Sequence, residues 1–278
     1  MGTGTINAGR VATPLRSRRN ADRLTAGQLG ALSDAFTRAQ ALSDDRGYGF
    51  YAGIHGLPLP IGCDNAHGTP YFLPWHRAYL YFFERALRDR NRDAMLTWWD
   101  WRTPPGAAGA LPRPFAARGT ARAPNPLLSA AVDPLARRQG RGFGDARVSS
   151  ASRTFRRPGA LGVPLPSAAQ VEAALRAGDF LDFSEAVEGL HNDVHVWVGG
   201  HMSEVPFAAF DPIFWAHHTM IDRLWRLWQL RNPGGRPPAS IVDDALPPFR
   251  MTVRQTLDVT ALGYDYAVST ASAAVAVR

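Results

Sequence analysis

Lysine is missing altogether from these 278 residues, so all 31 basic side chains are arginine. Together with abundant Ala, Pro and Gly, that bias reflects a GC-rich coding sequence rather than a function. Cysteine occurs once, at Cys63, which excludes an intrachain disulfide and a thiolate-built zinc site and suits a reducing compartment. No run reaches the roughly 18 apolar residues of a spanning helix, and no membrane partner is expected. Arg18-Arg19 is followed by Asn-Ala-Asp-Arg instead of an apolar stretch, so an export signal is lacking and a cytoplasmic location is expected.

Two metal motifs are also absent. Without His-Glu-x-x-His, a zinc protease is excluded. A ferritin-like di-iron site needs two Glu-x-x-His motifs, and only Glu188-Gly-Leu-His191 occurs. Acidic residues are scarce between Arg137 and Arg157, where seven arginines face Asp145 alone. The net charge of +7 raises the question of nucleic acid. That stretch has only Phe143 and Phe155 as aromatics, however, and reads as a solvated surface loop with no nucleic-acid partner.

What is present is helical. Thr25-Ala-Gly-Gln28 is a capping box with Leu24 and Leu29 placed as a hydrophobic staple, which predicts a helix to about Leu42. A second helix is expected over Gly47–His55, ended by Gly56 and Pro58. From Trp75, the positions His76, Tyr79, Leu80, Phe83 and Leu87 follow helical spacing and mark a buried face. Residues 103–166, with the breaker Pro104-Pro105, lack periodicity and predict an irregular excursion over the surface.

A capping box at Ser167–Gln170 opens a helix to about Arg176. Another helix is expected from near Ser184 to Val198, stopped by Gly199-Gly200. Asp211-Pro212 begins a last long helix to Arg231, and Met251–Val268 is expected to be strand-like or irregular. No repeat and no second core appears. One mainly α domain over 19–267 is expected, built on a central four-helix bundle with long loops and little β-structure, between a flexible arm at 1–18 and a tail at 268–278.

Histidine carries the chemistry. Pro70-Tyr-Phe-Leu-Pro-Trp-His76-Arg77 and Asp211-Pro-Ile-Phe-Trp-Ala-His217-His218 bury imidazoles in apolar sequence, and His191-Asn-Asp-Val-His195 presents two from one helix face. Buried imidazoles need partners, and metal accounts for all of them together. About three histidines per ion and six for a pair are available. They are His55, His67 and His76 in the first half, with His191, His195 and one of His217 or His218 in the second. His201, after two glycines, is left aside as a loop residue. All-imidazole ligation on bundle helices favours a pair of copper ions.

These motifs resemble the tyrosinases, the copper proteins that include catechol and o-aminophenol oxidases, over about Arg19 to Tyr266. The resemblance implies two copper ions, one held by His55, His67 and His76 and the other by His191, His195 and His218. It selects His218 because the family's ligand lies seven positions after the aspartate of Asp-Pro-x-Phe, leaving His217 either to support the ligands from behind, beside the substrate pocket, or to the core. It also implies that the chain uses O2 to hydroxylate monophenols in the ortho position and to oxidise o-diphenols to o-quinones, acting on a small phenolic or aminophenolic substrate.

A glutamate and an asparagine hold a water in the family, for which Glu188 (Glu185 in reserve) and Asn192 are the candidates. Asp222, one turn after His218, is expected to accept a ligand N–H. Val205 and Val196 are assigned to the substrate pocket, Val205 leaving it open to monophenols. Cys63 either bonds to His67 as a thioether, as in fungal members, or remains a partly buried thiol. Tyr264-Asp-Tyr266 resembles the end of the family's catalytic core, with no shielding domain after it, so protection during copper loading falls to a separate chaperone. The rival functions are a catechol or o-aminophenol oxidase without efficient monophenolase activity, and an oxygen carrier of the hemocyanin type.

Overall fold

Helix α9 (Ile213–Arg231) is enclosed on every side along its first thirteen residues, each of them from Ile213 to Trp225 buried, and the rest of the chain is arranged around it. The computed structural model describes residues 15–59, 63, 65–102 and 109–267. Residues 1–14 of the expected arm, the Pro104-Pro105 breaker and the expected tail lie outside them.

The helices are α1 (Ala26–Gln40), α2 (Tyr48–His55), α3 (Phe72–Arg90), α4 (Arg113–Ala116), α5 (Pro134–Gln139), α6 (Ala146–Ser150), α7 (Ala168–Leu175), α8 (Phe180–Val198), α9 and α10 (Val253–Thr256). Both expected capping boxes form, Thr25 with Gln28 on α1 and Ser167 with Gln170 on α7. Helix α3 starts three residues before Trp75, with Pro74 in the first turn, where its missing N–H costs no helical bond. Helix α8 starts four residues before Ser184 because the Asp179 side chain caps the Asp182 N–H. Helices α2, α3, α8 and α9 together form the core bundle that carries the histidines.

Among the described residues, three short strands, β1 (Arg16–Asn20), β2 (Thr97–Trp98) and β3 (Tyr264–Tyr266), form a sheet in the order β2-β1-β3. Both pairings are parallel, with Arg19 opposite Thr97 and Arg18 opposite Tyr266. The expected arm therefore ends earlier than residue 18, because Arg16–Arg18 already belong to the central strand. Arg18 is fully buried, bonded to Glu84 and Asp222 at 3.0 Å each.

The excursion is also more than surface. Phe115, Leu127, Ala130, Val132, Ala136 and Val148 are buried, and Arg156, inside the arginine-rich stretch, forms a buried ion pair with Asp211 just before α9. Gly199 and Gly200 take φ of 64° and 60°, where other residues are strained. A Cβ on Gly200 would stand 2.1 Å from the Phe155 carbonyl oxygen. These glycines end α8 and let the excursion lie against it.

Candidate metal centre

Six of the bundle's histidines are fixed by helix geometry. His55 is the last residue of α2, His76 lies one turn into α3, His191 and His195 share a face of α8, and His217 and His218 lie in the second turn of α9. His67 comes from the segment before α3. The structure gathers them into two sets, His55 with His67 and His76, and His191 with His195, His217 and His218, each with ligand atoms within 4.8 Å of one another. The sets face each other, with the His76 and His218 rings stacked 4.6 Å apart and His67 5.6 Å from His191.

Backbone and side-chain acceptors choose the tautomers. The Nδ1–H of His76 donates to the Phe72 carbonyl at 2.8 Å, that of His195 to the Met202 carbonyl at 2.6 Å, and that of His191 to Asn192 Oδ1 at 3.0 Å. Each Nε2 is thereby left with its lone pair, the form a metal binds. The Nε2 atoms of His191 and His195 lie 3.2 and 3.3 Å from His218 Nε2. Imidazole nitrogens about 2.0–2.1 Å from a common ion stand about 3.3–3.5 Å apart, so this spacing fits one.

Burial, reinforced by repulsion among the rings, holds His55, His76, His191, His217 and His218 well below the ordinary histidine pKa. His195 is brought down to about 4, chiefly by burial. The rings are neutral near pH 7, as ligands must be. Neither ring nitrogen of His55 makes a hydrogen bond of good geometry, beyond a marginal one to the Val205 backbone, and Nε2 of His76 makes none. Buried polar atoms without partners are rare, and a cation between the rings would complete them. Phe214 separates the sets from the core, stacked 4.0 Å from His218 and edge-on to His55 at 4.7 Å. Its place in the Asp-Pro-x-Phe motif was the available signal.

Glu188 and Asn192 line one cleft of about 450 Å³ with Gly68, Thr69, Ser184 and Glu185. Glu188 Oε1 accepts the Gly68 N–H at 2.8 Å, and burial raises its pKa against that bond. Gly68 carried no signal in the sequence, because its contribution is a backbone N–H. Val205 is exposed and Val196 half-buried, and neither lines this cleft. His201 is buried outside both sets, its Nδ1 accepting the Phe155 N–H. Cys63 is fully buried and its thiol donates to the His55 carbonyl.

Asp222 differs from expectation. Its carboxylate does not serve His218, whose Nδ1 makes no hydrogen bond. It accepts instead from Arg18, Arg77, Tyr264 and Tyr266. Burial alone would raise its pKa, but the Arg77 and Arg18 charges and the Tyr266 hydroxyl hold it below the usual carboxylate value. Arg77 also stacks on Trp225 at 3.6 Å.

Residues 45–231 match the family model for the common central domain of tyrosinase. A tyrosinase of Streptomyces glaucescens is 35% identical over 67% of this chain and 74% of its own length, and one of Streptomyces lincolnensis is 32% identical over 77% and 86%. A functional unit of octopus hemocyanin superposes with a TM-score of 0.73 at 27% identity, over 91% of this chain and 68% of its own. The fold of a copper-depleted Aspergillus oryzae tyrosinase complexed with L-tyrosine superposes with a TM-score of 0.77 at 21% identity, over 94% and 95%. With two histidine sets built to take metal, the chain belongs to the tyrosinase family, and is a copper-dependent oxidase or monooxygenase with a dinuclear copper centre.

Proposed function

We propose that the chain hydroxylates monophenols in the ortho position and oxidises o-diphenols to o-quinones, with His55, His67 and His76 on one copper and His191, His195 and His218 on the other. The observation that carries this reading is the convergence of neutral imidazoles whose lone-pair nitrogens face one another in a dry chamber. When bound, the copper pair supplies the redox chemistry of O2 and phenol.

The protein's own part is orientation and proton handling. Phe72, Met202 and Asn192 fix ring tautomers before any ion arrives. The Asn192 amide and the Glu188 carboxylate share the cleft beside His191, where they can hold a water. Half-burial raises the Glu188 pKa and makes it a better acceptor for the proton of an incoming phenol. Hemocyanin likeness keeps an oxygen carrier as the rival reading.

Copper analysis followed by parallel assays on tyrosine, catechol and o-aminophenol tests the proposal. Turnover of tyrosine and catechol with about two coppers per chain is expected. Oxidation of catechol or o-aminophenol alone makes the chain an oxidase without the hydroxylating step, and reversible oxygenation without quinone makes it a carrier.

A further inference from the structure

The second histidine set has one imidazole more than a three-nitrogen site uses. His217 is fully buried, and neither ring nitrogen makes a hydrogen bond of good geometry. The His191 backbone carbonyl accepts a marginal hydrogen bond from the ring, which opposes the effect of burial and leaves the other ring nitrogen to a metal. Its ring stacks on His191 at 5.1 Å and meets His195 edge-on at 4.9 Å.

A leucine or phenylalanine would fill this position without leaving polar atoms unmatched. One ligand atom each from His191, His195, His217 and His218 fits within 4.8 Å, whereas the opposite set offers three histidines. Four imidazoles make a closed site, and nitrogen-rich four-coordination suits Cu(II). Adjacent residues on a helix point about 100° apart. His217 and His218 therefore approach the α8 pair from two sides, as a four-nitrogen cage requires.

We propose that His217 is a ligand of the singly loaded protein: with His191, His195 and His218 it captures the first copper ion, so the two halves of the centre fill in a fixed order. This rests on the assignment of both sets as copper sites. The four-nitrogen set takes the first ion because it offers one more donor, and the three-nitrogen set takes the second.

The test is titration of the metal-free full chain with Cu(II), followed by electron paramagnetic resonance and by competition with a chelator. At one equivalent the parent should show a mononuclear signal with four-nitrogen coupling. His217→Phe should reduce this to three nitrogens and weaken first-ion binding at least about 10-fold, no less than losing a partner that only orients a ligand costs. His217→Asn, too short to reach the ion, should do the same and serves if the phenylalanine disturbs folding. His76→Ala should leave the first signal unchanged and remove the second ion.

A three-nitrogen signal in the parent, or unchanged affinity in both His217 variants, overturns the inference while leaving the copper pair intact. A parent that never takes up two ions overturns the copper assignment itself.

Discussion

Helix α9 carries two buried polar clusters one turn apart. Around His218 the rings are neutral, and several nitrogens have no protein partner. Around Asp222 the groups are charged and tightly paired: the carboxylate takes Arg18, Arg77 and both tyrosine hydroxyls, Glu84 takes Arg18, and Arg18 Nη2 alone is left over. The first cluster is incomplete without something from outside. The second completes itself from β1, α3, α9 and β3, and what it stabilises is the fold. Burial of polar groups thus does not mark a functional site, whereas unmatched groups with correct ligand spacing do.

The sharpest way to break this contrast is to remove a member of each cluster. His195→Ala should abolish phenol oxidation and lower copper from about two ions per chain to about one, while unfolding of the metal-free protein changes little. Metal analysis and a catechol assay read the first effect, urea denaturation the second. Asp222→Asn should act in reverse. It leaves Arg18 and Arg77 buried without their anion and should cost about 3–5 kcal/mol in urea denaturation, with copper content of the folded protein unchanged. A destabilised His195 variant and an intact Asp222 variant would reverse the assignment.

Asn192→Ala sharpens the comparison inside the metal site. It removes the acceptor for His191 Nδ1–H and one wall of the cleft. Hydroxylation of tyrosine should fall about tenfold more than oxidation of catechol, and equal losses would confine the side chain to supporting the ligand.

Acid separates the clusters differently. The folded Asp222 pKa is lowered, so its contribution to stability is present above the unfolded value of about 3.9 and is lost as pH falls through the folded one. Between pH 5 and pH 3 the parent should therefore lose more stability than Asp222→Asn. Parallel curves in urea denaturation would show that the carboxylate is not what the arginines hold. The smallest effect belongs to neither cluster. Thr25→Ala removes the α1 cap and should cost about 1 kcal/mol in the same denaturation experiment, with activity unaltered.

The sequence showed the histidine cluster clearly and the ion-pair cluster hardly at all, for a physical reason. His191 and His195, or His76 with Tyr79, Leu80 and Phe83, announce themselves by spacing within one helix. Arg18 sits in Arg16-Ser-Arg-Arg-Asn20, which reads as polar arm, and its burial depends on Asp222, 204 residues away. Strands of two, three and five residues leave little alternation to recognise. The spacing of Asp222 after His218 was right for a shared face. Which neighbour the carboxylate meets is set by tertiary packing, and there two arginines prevail over one imidazole. Arg156 was hidden in the same way among the arginines of a stretch that looked solvated.

The parallel pairing of β1 with β3 has a further consequence. The first and last described segments hold each other, with the Ala267 N–H donating to the Arg18 carbonyl at 3.1 Å. Fraying from either end is therefore opposed, because peeling one strand must expose the other. Within the described residues, a protease meets less resistance in the middle than at the paired strands. The run from 116 to 124 is exposed throughout and carries Arg118 and Arg122, so trypsin should nick the native protein there before it cuts at Arg16, Arg18 or Arg19.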